Sequence, residues 1–417
     1  MLLEFRCSNH RSIRDEVLFS AIAGSDKTHA ENIERVADIE VLKSAVIYGA
    51  NGSGKSNFID AISFVKSLVS NSINHQPGQG ILQVPHKLDG YERESNYKIQ
   101  FVVDGIRYAF GFSLKNMLVV EEYLYYFPNG RQTKIFERTS EDSYSAGRNF
   151  RNRFNSCKDV LKPNRLMLSC AANFSSVDEV AAAYRFFNDE LVIYSSVSQE
   201  NWMNYSLHQI HANEHIKAIV LKFLDGLGTG IKDIHVDIKK EDVDISHLPP
   251  VLSDEFKKML LQEKIDAISA KVEYEGFETD LILEESTGIK KLFGILCPFI
   301  DVMVHGKVLV CDELESNLHE SLLFGLVKQF IHARGNKPAQ LIFTTHETGL
   351  LNLDLFRRDQ IWFTEIKSAD RSTDLFSLTE IKNVRKDENF GKGYIAGKYG
   401  AIPMLNLNFA NEISSDM

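Results

Sequence analysis

The stretch Gly49-Ala50-Asn51-Gly52-Ser53-Gly54-Lys55-Ser56 decides how the rest of the chain is read. It meets the pattern G-x-x-x-x-G-K-[ST] at every fixed position. Lys43-Ser44-Ala45-Val46-Ile47-Tyr48 before it reads as a short buried strand. After it, Asn57 to Leu68 carries apolar residues at Phe58, Ile59, Ile62, Val65 and Leu68, which is a helical period. Strand, glycine-rich turn and helix start are the setting in which this pattern becomes a phosphate cradle. The glycines let backbone N–H groups close around phosphate oxygens, and the helix N-terminus adds the positive end of its dipole. Gly49, Asn51, Gly52, Ser53, Gly54, Lys55, Ser56 and Asn57 are therefore the expected nucleotide contacts. Lys55 reaches the β- and γ-phosphates, and Ser56 ligates Mg²⁺.

A partner for this loop lies far downstream. Val308-Leu309-Val310-Cys311-Asp312-Glu313 is an apolar strand ending in two carboxylates. Beside a phosphate loop, Asp312 is expected to hold Mg²⁺ opposite Ser56. Glu313 is then placed to polarise the attacking water as a general base. Alone, a D-E pair at a strand end is most often a solvated turn; the loop at 49–56 gives it chemistry.

The chain has 417 residues, 44% hydrophobic and 25% charged, which suits a soluble globular protein of two or three lobes. No run of about 18 or more apolar residues occurs, so no membrane span is expected. The N-terminus lacks a basic region followed by a long apolar run, so no secretory signal is expected. The five cysteines are scattered and form no C-x-x-C pair, which argues against zinc and a disulfide framework and for a reducing, cytoplasmic setting. With 47 basic and 57 acidic residues the net charge is −10, so bulk charge does not indicate nucleic-acid binding. One local basic stretch remains, with Arg148, Arg151, Arg153, Lys158, Lys162 and Arg165 interleaved with Phe150 and Phe154. A solvated surface is the plain reading of such a run.

The texture along the chain predicts a split α/β core. Leu2 to Ser20 reads as two strands turning at Asn9-His10-Arg11-Ser12, and residues 21–40 as a mobile connection. Residues 71–90, with Pro77-Gly78-Gln79-Gly80, read as a surface loop. From Tyr97 to Glu137, β-rich runs around Asp104-Gly105 and Asn129-Gly130 predict an antiparallel meander. Helical spacing follows at Val177 to Leu191 and His208 to Leu224, then a strand at Ile231 to Lys239 and a helix over about 252–268. Lys271 to Leu283 reads as a strand pair. Helices over about 287–304, 318–333 and 348–356 alternate with strands at 307–311, 340–344 and 360–366. The boundaries expected are 1–140 for the first part of the head with its meander, 141–270 for a mainly helical insertion, and 271–417 for the second part of the head.

Three more stretches complete a pattern: Glu284-Glu285-Ser286-Thr287-Gly288-Ile289, Leu314-Glu315-Ser316-Asn317-Leu318-His319, and Leu341-Ile342-Phe343-Thr344-Thr345-His346. Their order after the phosphate loop resembles the ABC-type ATPase heads of the SMC and RecF class. It is closer still to stand-alone ATPases of bacterial defence operons, the RloA-like, AbiL-like, AriA-like and OLD-type proteins. Phe5 to Ile13 and Arg385 to Pro403 match that group in style, and the resemblance covers about 1–140 and 270–405. It implies a split ABC-type P-loop ATPase head that hydrolyses ATP with Mg²⁺. It further implies that Ser286 and Gly288 contact the γ-phosphate held by another subunit, in a homodimer or higher even homo-oligomer. Ser316 to His319 corresponds to the loop linking the two sites, His346 to the switch histidine that senses the γ-phosphate, and Arg11 to a basic residue near the nucleotide. The glutamine of the usual Q-loop has two candidate positions, Gln83 and Asn173. The signature turn departs from the transporter form in lacking its second glycine and glutamine, which argues against an ABC subunit driving a transporter. No H-N-H pattern and no acid-rich nuclease segment follows His346, so the resemblance implies a separate effector, a nuclease or toxin encoded nearby. The competing reading is a DNA-binding SMC/RecF-like ATPase in repair.

Overall fold

The computed structural model describes residues 1–140, 143–195, 199–242, 264–333, 335, 337–351, 354–382, 384 and 388–402. The strands in chain order are β1 (Leu2–Ser8), β2 (Val17–Ser20), β3 (Ile33–Val36), β4 (Ile39–Leu42), β5 (Ser44–Gly49), β6 (Ser95–Val103), β7 (Ile106–Lys115), β8 (Leu118–Tyr126), β9 (Thr133–Arg138), β10 (Tyr144–Ala146), β11 (Leu191–Tyr194), β12 (Asp233–Asp242), β13 (Lys264–Tyr274), β14 (Phe277–Asp280), β15 (Val308–Cys311), β16 (Gln340–Thr344), β17 (Ile361–Ile366) and β18 (Thr373–Ser377). The helices are α1 (Lys55–Asn71), α2 (Met167–Phe174), α3 (Asp178–Arg185), α4 (Gln199–Ala212), α5 (Glu214–Gly226), α6 (Thr287–His305), α7 (Glu320–His332) and α8 (Phe390–Ile395). They divide into two compact units, one of Met1–Tyr194, Val302–Glu315 and Val327–Met417, the other of Ser195–Asp301 and Ser316–Leu326.

Besides the small β3-β4 hairpin, the larger unit contains two larger sheets. The first is antiparallel throughout, in the order β10-β9-β8-β7-β6-β1-β2. It is the meander that the alternating runs and the Asp104-Gly105 turn predict, with both turn residues at positive φ. The second has the order β11-β15-β16-β5-β17-β18, parallel except for the last pair. Its central strands β5, β15 and β16 are buried along their whole length. That is why they read as unbroken apolar runs rather than as alternation. Helix α1 buries Phe58, Ile59, Ile62, Val65 and Leu68 in one core that includes Phe5, Ile47, Val310 and Trp362. Each such burial contributes about 1.5–3 kcal/mol.

Strand β11 departs from the expectation of helix through Leu191. Helix α3 ends at Arg185, a single π-turn follows at Phe186–Glu190, and Leu191-Val192-Ile193-Tyr194 then pairs in parallel with the strand that carries Asp312. The middle of the chain thus returns once to the core sheet. Residues 21–40 are fastened rather than mobile. The Asn32 amide donates to the Leu355 carbonyl and to Gln360, and the buried Arg357 guanidinium donates to the Thr28 and Gly24 carbonyls and to Asp359. Of the helix expected over 348–356, Thr348–Leu350 form a 3-10 turn, residues 352 and 353 lie outside the described residues, and Leu350, Leu351, Leu355 and Phe356 are buried in the core.

The smaller unit contains α4, α5, the antiparallel sheet β12-β13-β14, and the chain entering α6 and α7. The one long helix expected from His208 breaks at Asn213, whose side chain caps α5 by accepting from the His215 and Ile216 amides. Of the helix expected over 252–268, residues 252–263 lie outside the described residues, and 264–268 are strand paired with β12. This pairing makes the unit a mixed one rather than a mainly helical insertion. All five cysteines are buried and unbridged.

Candidate functional site

The phosphate loop leaves β5 at Gly49 and enters α1 at Lys55. Two of its glycines are required by space. A Cβ on Gly49 would stand 2.3 Å from Thr364 Oγ1 and 2.4 Å from Ser53 Oγ. One on Gly54 would stand 2.0 Å from Thr373 Oγ1, at a φ of 104° that side chains rarely adopt. Gly52 needs only its φ of 76°, with open space beyond. The loop is tied to its neighbours by hydroxyls. Ser53 Oγ and Thr364 Oγ1 are 2.6 Å apart, Thr373 Oγ1 donates to the Ser53 carbonyl at 3.0 Å, and Ser12 Oγ lies 2.7 Å from Thr373 Oγ1. The Asn57 amide donates to Ser12 Oγ at 2.6 Å, so its side chain faces the β1–β2 turn. Lys55 is buried, and its ammonium donates to the Gly49 and Ala50 carbonyls at 2.8 and 3.2 Å. Burial pushes the Lys55 ammonium down to about 8, against the pull of Glu315, Asp312 and Glu313.

The acidic half of the site grows from the parallel register of β15, β16 and β5. Asp312 and Glu313 leave the end of β15, and Thr344 ends β16 beside them. Thr344 Oγ1 donates to Asp312 Oδ1 at 2.7 Å and accepts from the Glu313 amide at 2.8 Å. Glu313 sits at a φ of 49°, so the chain reverses there with its side chain exposed. His346 follows two residues after Thr344, and its amide donates to Glu315 Oε1 at 2.7 Å. Partial withdrawal from water and then the charge of Lys55 hold the His346 imidazole below its ordinary range, against Glu315, Glu313 and Asp312. Asp312 and Glu313 thus act on both Lys55 and His346 within the larger unit. Ser56 is exposed, and its hydroxyl has no partner among the described residues. A hydroxyl and a carboxylate are the hard oxygen donors that Mg²⁺ takes.

Arg11 lies on the β1–β2 turn at a φ of 49° and is paired with Asp60 of α1, Nε to Oδ2 at 2.5 Å. Burial works against the Asp60 carboxylate, but hydrogen bonds from His10 and Arg11 outweigh it and hold its pKa below the usual range. Gln83 is buried and donates to the Asn9 carbonyl and Ser95 Oγ, and the Asn173 amide donates to the Ser169 carbonyl in its own helix. Both candidate Q-loop side chains therefore serve local structure.

In the smaller unit, Ser286 caps α6 by accepting from the Ile289 amide at 3.3 Å. A Cβ on Gly288 would stand 2.7 Å from the Asn317 carbonyl, so only glycine lets that segment approach. Lys291 Nζ donates to Ser316 Oγ at 3.0 Å, and Glu285 accepts from Tyr274 OH and Thr279 Oγ1. The signature turn and the Ser316–Asn317 segment are thereby clamped together.

Sequence reading did not single out Thr344, Thr364, Thr373, Glu315 or Lys291 as members of the site. Thr344 had a signal, since it directly precedes the Thr345-His346 pair. Thr364 and Thr373 had none, because only the pairing Thr364↔Gly49 and the β17–β18 hairpin bring them to the loop.

A family profile described as "AAA domain, putative AbiEii toxin, Type IV TA system" matches residues 44–352. No curated protein sequence matches the chain. Among solved structures, an SMC head bound to the C-terminal winged-helix domain of ScpA is 13% identical, with a TM-score of 0.46 over 90% of this chain and 97% of that one. The SMC head domain from Thermotoga maritima is 14% identical, TM-score 0.41, over 90% and 98%. An Smc head with an extended coiled coil, bound to the C-terminal domain of ScpA and derived from Pyrococcus furiosus, is 11% identical, TM-score 0.42, over 90% and 96%.

Proposed function

The chain belongs to the AAA-domain family named for AbiEii and type IV toxin–antitoxin systems, and on that premise we propose that it is an ABC-type ATP hydrolase acting as a nucleotide-driven switch in antiphage defence. Two copies close head-to-tail around ATP, each offering Ser286 and Gly288 to the nucleotide on the other. Binding favours the closed pair and hydrolysis reopens it. The switch acts as sensor or scaffold for a separate effector, a nuclease or toxin, in the cytoplasm. The finer placement among RloA-like, AbiL-like or AriA-like proteins is part of this proposal. Among the described residues no helix is long and apolar enough to cross a membrane.

The observation that carries the reading is the convergence on Lys55. The phosphate-loop ammonium feels Asp312 and Glu313, and the same groups act on His346. Lys55 leaves the Gly49 and Ala50 carbonyls for phosphate oxygens when nucleotide binds. Ser56 and Asp312 would hold Mg²⁺, which when bound would neutralise phosphate charge. Glu313 takes the proton of the attacking water, His346 reads the γ-phosphate, and Arg11 flanks the nucleotide.

Steady-state ATP turnover together with light scattering tests this. Glu313→Gln should lower kcat by about 100- to 10,000-fold, the span of a general base, and accumulate a dimer in ATP. Unchanged turnover in that variant removes Glu313 from its role, and a monomer in both proteins with ATP removes the head-to-tail pair. One observation favours a second reading, direct DNA binding. Arg148, Arg151 and Lys158 are exposed and make no ion pair among the described residues, and Arg151 and Lys158 line a cavity of about 560 Å³ beside the edge strand β10. Phe150 and Phe154 are core, and Arg153 and Arg165 are spent on backbone carbonyls. Salt-sensitive binding of duplex DNA that stimulates hydrolysis would support it, and no binding at low salt would leave the protein-effector reading.

A further inference from the structure

The parallel ladder between β15 and β16 ends at Cys311↔Phe343. Beyond it, besides the Thr344 Oγ1 to Asp312 Oδ1 bond, the two departing turns remain joined by three bonds from backbone amides. The Glu313 amide donates to Thr344 Oγ1, the Leu314 amide to the Thr344 carbonyl at 3.2 Å, and the His346 amide to Glu315 Oε1 at 2.7 Å. The first two rest on one residue at the strand end. The third hangs on a single side chain reaching across 31 residues of sequence, and it grips the backbone of the histidine itself. The second oxygen of that carboxylate, Oε2, is buried and has no hydrogen-bond partner among the described residues. A carboxylate oxygen buried without a hydrogen-bond partner costs free energy. Its charge is also the strongest of the three carboxylates acting on Lys55, and the strongest acting on the buried Tyr48 phenol, which has no hydrogen-bond partner among the described residues, at the root of the phosphate loop.

We propose that Glu315 is a positioning residue for the switch histidine. Its carboxylate fixes the backbone at His346, between the turn that carries Asp312 and Glu313 and the phosphate loop, and so sets where the imidazole meets the γ-phosphate. The inference rests on the ATPase reading above for its functional part only. The backbone contact is independent of it.

The test uses the full-length protein with Glu315→Ala and Glu315→Gln, alone and with His346→Ala. Hydrogen exchange of the peptide containing the His346 amide is read alongside kcat and KM for ATP. Glu315→Ala should speed exchange at His346 by about tenfold or more and lower kcat about tenfold, as loss of a hydrogen bond to a charged acceptor predicts, with KM within about threefold of wild type. Glu315→Gln keeps an acceptor oxygen and should restore protection and most of the lost kcat. In the His346→Ala background, Glu315→Ala should cost kcat little more, because the backbone contact then holds no imidazole in place. Unchanged exchange at His346, kcat losses that multiply, or a loss carried by KM would each overturn the assignment. If the wild-type protein hydrolyses no ATP, the proposed function falls, and the exchange measurement still decides the contact.

Discussion

The phosphate loop and the signature turn are both glycine-bearing turns that open a helix, yet they are held by different means. The loop at 49–56 is fastened by hydroxyls from Ser12, Thr364 and Thr373, residues up to 361 positions away from one another that a buried sheet and its neighbours bring together. The turn at 286–288 is fastened by one ammonium–hydroxyl bond, one close backbone approach and one carboxylate, all from within its own unit. A loop tied to a packed sheet is set before its ligand arrives. A turn held by a few side chains is set by them and can be reset by changing one.

The comparison breaks most sharply at its two glycines. Gly54→Ala forces a methyl onto Thr373 at a φ of 104°, and should weaken ATP binding by about 100-fold, since such backbone strain alone is worth about 1–3 kcal/mol. Gly288→Ala meets the Asn317 carbonyl and should lower turnover while leaving ATP affinity of the isolated protomer unchanged. Equal effects of both on affinity, by titration of a fluorescent ATP analogue, would erase the distinction. Next in size is Thr344→Val, which leaves Asp312 Oδ1 and the Glu313 amide without their shared partner. It should lower kcat by about 10-fold or more, given about 1–3 kcal/mol for a stranded polar group.

A change of pH sharpens the same contrast. Free Lys55 titrates at about 8, and phosphate requires it protonated. Affinity should therefore hold below pH 8 and fall above it, by about tenfold between pH 7 and pH 9, and Lys55→Arg should flatten that profile. For folding the sign is opposite. A lysine depressed from 10.5 to about 8 favours the folded state increasingly as pH rises between those values. The smallest effect is Ser316→Ala, which removes the Lys291 contact. It should slow turnover a few-fold at about 0.5–1.5 kcal/mol and leave binding alone, whereas loss of binding would show that the two turns are not independent.

Much of the site was legible because its residues stand at the ends of apolar strands, where a period of burial and a change to polar residues coincide in sequence. Asp312 and Glu313 could be set beside Lys55 because a phosphate loop stood upstream, and His346 because the order of motifs resembles ABC-type heads. The hydroxyl ties were not legible, since Thr364 and Thr373 look like any strand threonines until the pairing of β17 with β5 is known. Strand β11 was missed for a related reason. Four apolar residues after a helix continue its pattern as readily as they begin a buried strand, and only the empty edge beside β15 distinguishes the two. Asn213 broke a helix whose apolar stripe ran on past it, a capping signal overridden in the reading by periodicity.

The order in which the core sheet is assembled bears on how the protein is made. The meander and its partner strands lie within residues 2–146 and can pair as soon as they leave the ribosome. Strand β5, at 44–49, must instead wait for residues 340–344 and 361–366 before it has any parallel neighbour. Loop closures of about 300 residues are slow, and an unpaired apolar strand is prone to aggregate while it waits. The nucleotide site is therefore the last part of the molecule to mature. A nascent chain ending before β16 lacks both parallel neighbours of β5 and the Ile342 and Trp362 part of the shared core, so the loop at 49–56 takes its final setting only when most of the chain has been made.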